Sequence, residues 1–133
     1  MDDLPTAGLL IVDGANVVGS VPDGWWRDRA GAAARLRDRI AAAIADGRIP
    51  APVEVVLVVE GAARDTASAD GVSVVAAPGT GDDTIVELAR AAAEPVTVVT
   101  ADRGLRDRVA AAGARWVGPG TLRRLLDQDP GHR

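Results

Sequence analysis

Four stretches of the chain carry acidic side chains at or shortly after the ends of apolar runs: Asp13-Gly14-Ala15-Asn16, Glu60-Gly61, Gly81-Asp82-Asp83 and Thr100-Ala101-Asp102. Carboxylates brought together repel one another, and each loses hydration when enclosed. A group of them without interleaved basic side chains needs either raised pKa values or a cation. Oxygen donors without His or Cys favour magnesium or manganese over zinc or copper. One or two such ions can turn a bound water into a nucleophile and neutralise the oxygen that departs from a phosphodiester. Phosphoester hydrolysis is the reaction class that these residue types suit.

Each acid also has an ordinary explanation. Asp13 suits a turn, Asp82 and Asp102 suit helix N-caps, and Glu60 suits a polar strand end. Asp83 lies one residue further into its helix, where capping explains less. The coincidence of all four groups favours a common site, with Glu60 as an outer acid. Other chemistries fall away by composition. There is no Cys, so disulfides, zinc ribbons and thiol catalysis are excluded. The single His, His132, sits in the tail, which removes His-based acid/base and triad mechanisms. Without Lys there is no Walker A motif, and Gly14 and Gly19 lack the dinucleotide-binding spacing.

The formal charge is −4 and all 15 Lys-plus-Arg positions are Arg. That balance argues against a broad basic face for duplex nucleic acid, though a local Arg rim is compatible with it. Arg103, Arg106 and Arg108, like Arg27 and Arg29, read first as solvated helix faces paired with Asp28 and Asp107. Arg103 is kept as a substrate contact because it adjoins Asp102. Trp25-Trp26 reads first as packing for a long helix, with base stacking second.

The elements that must position these residues alternate. Leu9 to Val12, Val53 to Val59, Val72 to Val75 and Val96 to Val99 are predominantly apolar and mostly β-branched, as strands covered on both faces should be. Leu36, Ile40 and Ile44 mark an amphipathic helix from about 26 to 45. Ile85, Leu88, Ala89 and Ala92 mark a second, and Leu105, Val109 and Ala112 a third. Arg115 to Val117 reads as a short fifth strand before a last helix carrying Leu122, Leu125 and Leu126. Residues 61 to 71 show no helical period and read as a loop or a single turn. Strand and helix in alternation predict an α/β fold with a parallel, doubly covered sheet, whose carboxyl edge is where ligands bind. The chain is read as one domain over 1–133, with 1–7 and 128–133 fraying. No apolar run approaches the roughly 18 residues of a membrane span, and a cytoplasmic location is expected.

Asp13-Gly14-Ala15-Asn16, then Gly81-Asp82-Asp83-Thr84-Ile85, then Val99-Thr100-Ala101-Asp102-Arg103, in that order, resemble the NYN domain of the PIN-like nuclease superfamily, especially its compact bacterial members. The resemblance covers nearly the whole chain. It implies a three-layer domain with sheet order 3-2-1-4-5. It also implies metal-binding acids at Asp13, Asp83 and Asp102 with Asp82 beside them, Asn16 steadying metal waters or a phosphate, and Thr100 orienting the site. The substrate it implies is RNA, cut endonucleolytically. Hydrolysis of a small nucleotide or other phosphate ester, and a non-catalytic RNA-binding or protein-interaction domain of the same fold, are also compatible with these residues. A homodimer through an apolar face stays open.

Overall fold

The computed structural model describes residues 3–21 and 24–128. The apolar runs form strands β1 (Gly8–Asp13), β2 (Val53–Val59), β3 (Val72–Ala76), β4 (Val96–Val99) and β5 (Arg115–Val117). They make one sheet in the order β3-β2-β1-β4-β5, and every pairing is parallel. Parallel strands need a crossover between them; the link from β2 to β3 holds only a single turn, while helices make the other crossovers and one more follows β5. The helices are α1 (Gly14–Gly19), α2 (Arg29–Ala45), α3 (Gly81–Ala91), α4 (Arg103–Ala111) and α5 (Pro119–Leu126).

The sheet's two faces bury two separate sets of side chains, as the period of two along each strand requires. On one face Leu10, Val12, Val55 and Leu57 meet Leu36 and Ile40 of α2 and Leu122 of α5. On the other, Leu9, Ile11, Val56 and Val58 meet Ile85 and Ala89 of α3 and Leu105 and Val109 of α4. The result is three layers, and the central strands β1, β2 and β4 read as nearly continuous apolar runs because both of their faces are covered.

Two elements differ from the expectation. The long helix begins at Arg29, because the Asp28 side chain accepts a 3.0 Å hydrogen bond from the Gly31 N–H and caps it there. Trp25 and Trp26 therefore sit in a separate 3-10 turn, Trp25–Arg27, with their rings edge-on at 6.2 Å and Trp26 exposed. The half-buried Trp25 still packs beside the start of the long helix, with the Arg29 guanidinium over its ring. The second difference is α1, a short helix that continues directly from β1. Residues 61 to 71 hold the expected single turn, Gly61–Ala63.

Of the ends expected to fray, residues 1, 2 and 129–133 lie outside the described residues. Leu4 packs against the core, and the Arg48 guanidinium donates to the carbonyls of Leu125, Leu126 and Gln128 at 2.9 to 3.1 Å, closing the end of α5. Among the described residues no helix is long and apolar enough to cross a membrane.

Ile40 is wholly buried between α2 and the sheet. Ile40→Ala is expected to cost about 2–5 kcal/mol of stability, read as a lower midpoint in urea unfolding at unchanged slope.

Candidate active site

The order β3-β2-β1-β4-β5 puts the switch point of the sheet between β1 and β4. Their following helices leave to opposite faces, α1 and α2 to one and α4 to the other, and a crevice opens at the carboxyl ends of the two strands. Asp13 ends β1 in that crevice and is buried. Gly14 follows because the chain turns tightly over β2, and a Cβ there would come within 2.6 Å of the Val58 carbonyl oxygen. Asp13 caps α1, its Oδ1 accepting from the Asn16 N–H at 3.4 Å, while its Oδ2 accepts from the Thr100 hydroxyl at 2.9 Å. Thr100 Oγ1 in turn accepts from the Asp102 N–H at 3.2 Å. Ala101 donates its N–H to Asn16 Oδ1 at 2.7 Å, which leaves the Asn16 amide nitrogen as the donor on that side chain. Asp102 caps α4 through its Oδ1, 2.9 Å from the Leu105 N–H. The ordinary explanations for Asp13 and Asp102 therefore hold together with a place in the crevice.

The third acidic segment arrives on α3, which packs across β1 and β2. Its N-cap is Thr80 and makes no side-chain cap bond, so the N-cap role expected for Asp82 is corrected. The Gly81 N–H is taken instead by Glu60 Oε2, from the end of β2. Gly81 must be glycine for that contact, since a Cβ would stand 2.7 Å from the same oxygen. Asp13, Asn16, Glu60, Asp82 and Asp102 then border one open cavity of about 240 Å³. Asp83 does not. Its exposed carboxylate meets the Arg108 guanidinium at 2.9 Å, so α3 turns Asp82 to the cavity and Asp83, favoured over it by the sequence, to another face.

Helical spacing explains the difference. Asp82 precedes the buried Ile85, Val86 and Ala89 by three, four and seven residues, and so shares the face that α3 turns to the sheet. Asp83 precedes the exposed Glu87 and Arg90 by four and seven. The same period was present in the sequence.

The arginines divide as well. Arg103 is exposed at the start of α4 and does not border the cavity. Arg106, expected on a solvated face, lies over the Trp116 ring at 3.7 Å from its centroid and donates from Nε to the Thr100 carbonyl at 3.2 Å. That contact holds the strand end carrying Thr100 from below. Arg108 pairs with Asp83, not Asp107.

The crevice is electrostatically costly. Burial, more than any neighbour, pushes the Asp13 carboxyl up from 3.8 to about 6, against the lowering effect of Thr100 and the Asn16 N–H, and the charges of Asp82 and Glu60 add to the rise. Asp82 is also raised, chiefly by partial burial and then by Asp102, with Arg108 opposing. The donors are all oxygen, which suits a hard divalent ion. Among the described residues no three acidic or imidazole side chains come close enough together to enclose one.

No family model matches the chain, and no curated protein does. Solved structures do superimpose on it. A crystal structure of Rae1 (YacP) from Bacillus subtilis matches with a TM-score of 0.72 at 21% identity, covering 90% of this chain and 74% of that one. A tryptophan-to-leucine mutant of the same protein gives 0.66 at 23%, with the same coverage. The chain shares the α/β fold of these structures. At such identity the likeness carries architecture alone, and it agrees with the sheet order that the NYN resemblance implies.

The raised Asp13 pKa fixes a pH dependence. The unfolded carboxyl ionises near 3.8 and the folded one near 6, so the folded state holds the proton more tightly. Stability from this group is complete below the lower value, falls as pH rises between the two, and is level above the higher. The difference of about 2.2 units corresponds to about 3 kcal/mol. In chelator-containing buffer, Asp13→Asn is expected to gain on the wild type by an amount of that order between about pH 4 and pH 7, by urea unfolding.

Proposed function

We propose that the chain is a metal-dependent ribonuclease that hydrolyses RNA phosphodiesters endonucleolytically, with magnesium or manganese as its ion. The observation that carries this reading is the convergence of Asp13, Asp82 and Asp102, from three separate stretches of sequence, on one open cavity at the switch point of the sheet. Burial, and to a lesser degree the neighbouring acids, make ionised Asp13 and Asp82 costly, and a cation would relieve that cost. The bound ion supplies an activated water and offsets charge on the phosphate.

The chain's own residues do the rest. Asp13 is fixed at both carboxylate oxygens, by Thr100 and by the Asn16 N–H, and so presents a defined direction to the cavity. Asp102 spends one oxygen on its cap and keeps the other. Magnesium retains several waters and commonly uses only one or two carboxylates together with substrate phosphate, so open spacing of the acids is compatible with its binding. The Asn16 amide nitrogen is suited to a phosphate oxygen, and Glu60, tethered to Gly81, to an outer water. RNA as substrate comes from the NYN resemblance, with the shared α/β fold in support. Arg103, exposed at the rim of α4, remains a candidate phosphate contact.

Purified protein with manganese and a panel of labelled RNAs and nucleoside triphosphates tests the reading. RNA is expected to be cut internally and the triphosphates left intact. Asp82→Asn and Asp102→Asn should each lower turnover by at least about a hundredfold while the fold is kept, about 2.7 kcal/mol in the barrier. Asp83→Asn should lower it by less than about tenfold. A folded Asp102→Asn protein cutting at the wild-type rate, with Asp13→Asn as the contamination control, would end the assignment.

A further inference from the structure

A second cavity, of about 190 Å³, adjoins the acidic one, and Ala15 and Glu60 border both. Arg29 borders this second cavity too, and the rest of its wall is mainly apolar, with Val18, Ala33, Val59, Ala63 and the half-buried Trp25. Sites for whole small molecules run from roughly 300 Å³ upward, so this one suits a single planar ring system. Trp25 is held in position by the edge of Trp26 at 6.2 Å and by the Arg29 guanidinium at 5.4 Å from its centroid. Glu60 gives one oxygen to the Gly81 N–H, and the other can accept from the amino or imino group of a base.

Val18 also borders a third cavity, of about 250 Å³, where Arg35, Arg39 and Arg123 converge. Arg39 pairs with Asp127 and Arg35 lies 4.0 Å from Asp28. Arg123 Nε is buried and, among the described residues, has no hydrogen-bond partner. In a chain of net charge −4 this is a local cationic surplus.

We propose that the Trp25 cavity is a subsite for one unpaired nucleobase beside the scissile phosphate. From there the strand runs past Val18, so that its next phosphates meet the arginines of the third cavity. The inference rests on the ribonuclease reading, and it makes the substrate single-stranded: in a duplex the base is stacked and paired and cannot enter. Stacking gives affinity without much sequence preference, and the arginines add a salt-dependent part.

The test is binding without metal, in chelator, followed by fluorescence anisotropy of the labelled strand. Three probes are compared on the wild type: a short single-stranded RNA, an abasic ribose-phosphate strand of the same length, and the duplex. The abasic strand and the duplex are each expected to bind at least about tenfold more weakly than the intact strand. Trp25→Ala should remove the difference between intact and abasic strands, and Arg35→Gln with Arg39→Gln should weaken both and flatten the salt dependence. If Trp25→Ala does not fold, the wild-type comparison decides alone. Equal affinity for intact and abasic strands overturns the subsite. RNA cut in manganese without base-dependent binding ends this inference and leaves the ribonuclease reading; base-dependent binding with no cutting ends the ribonuclease reading instead.

Discussion

A 2.9 Å hydrogen bond from the Thr100 hydroxyl to Asp13 Oδ2 joins the ends of the two strands between which the sheet changes direction. Everything in the crevice is set out from that bond. It fixes Asp13 in its buried place, and the same hydroxyl accepts from the Asp102 N–H, so the start of α4 is referred to the end of β1. Asn16 adds a second tie from α1 to Ala101. Behind them, Arg106 grips the Thr100 carbonyl from its seat on Trp116. Two segments 87 residues apart in sequence are thereby held as one rigid floor.

The arrangement sets electrostatics against packing. Buried apolar strands raise the cost of ionising Asp13, and acids from β2 and α3 raise it further. A stable core would place an apolar side chain there, and the fold carries a carboxylate instead. Residues that lower local stability in this way mark sites where chemistry is selected over packing. Thr100, wholly buried and engaged at its hydroxyl, limits the penalty without removing it.

Much of this was legible in the sequence for a simple reason. Strands buried on both faces leave unmistakable β-branched runs, and β2, β4 and β5 fall where those runs lie. The alternation of strands with helices then limits the topology to few choices, and the acids at strand ends follow from it. What escaped depended on contacts distant in sequence or on phase. The 3-10 turn of the Trp pair and the start of α2 turn on one capping side chain, Asp28. The choice of Asp82 over Asp83 turns on a rotation of one residue about the α3 axis, where capping preferences were given more weight than the helical period. Arg106 looked solvated because its partners, Trp116 and the Thr100 carbonyl, come from other elements.

Glu60 occupies two positions in this account, as the acceptor that closes the first turn of α3 and as a wall of both the acidic and the apolar cavities. One oxygen can hold the Gly81 N–H while the other meets a ligand, but both belong to one side chain and move together. A ligand that draws Glu60 toward itself takes the acceptor from Gly81 and loosens the turn that carries Asp82, while a ligand that leaves Glu60 in place keeps that turn ordered. Occupancy and helix-end order are then linked functions in the thermodynamic sense, each biasing the other by the same free energy. The fold would thus carry an internal feedback built from a single side chain reaching from a strand to a helix.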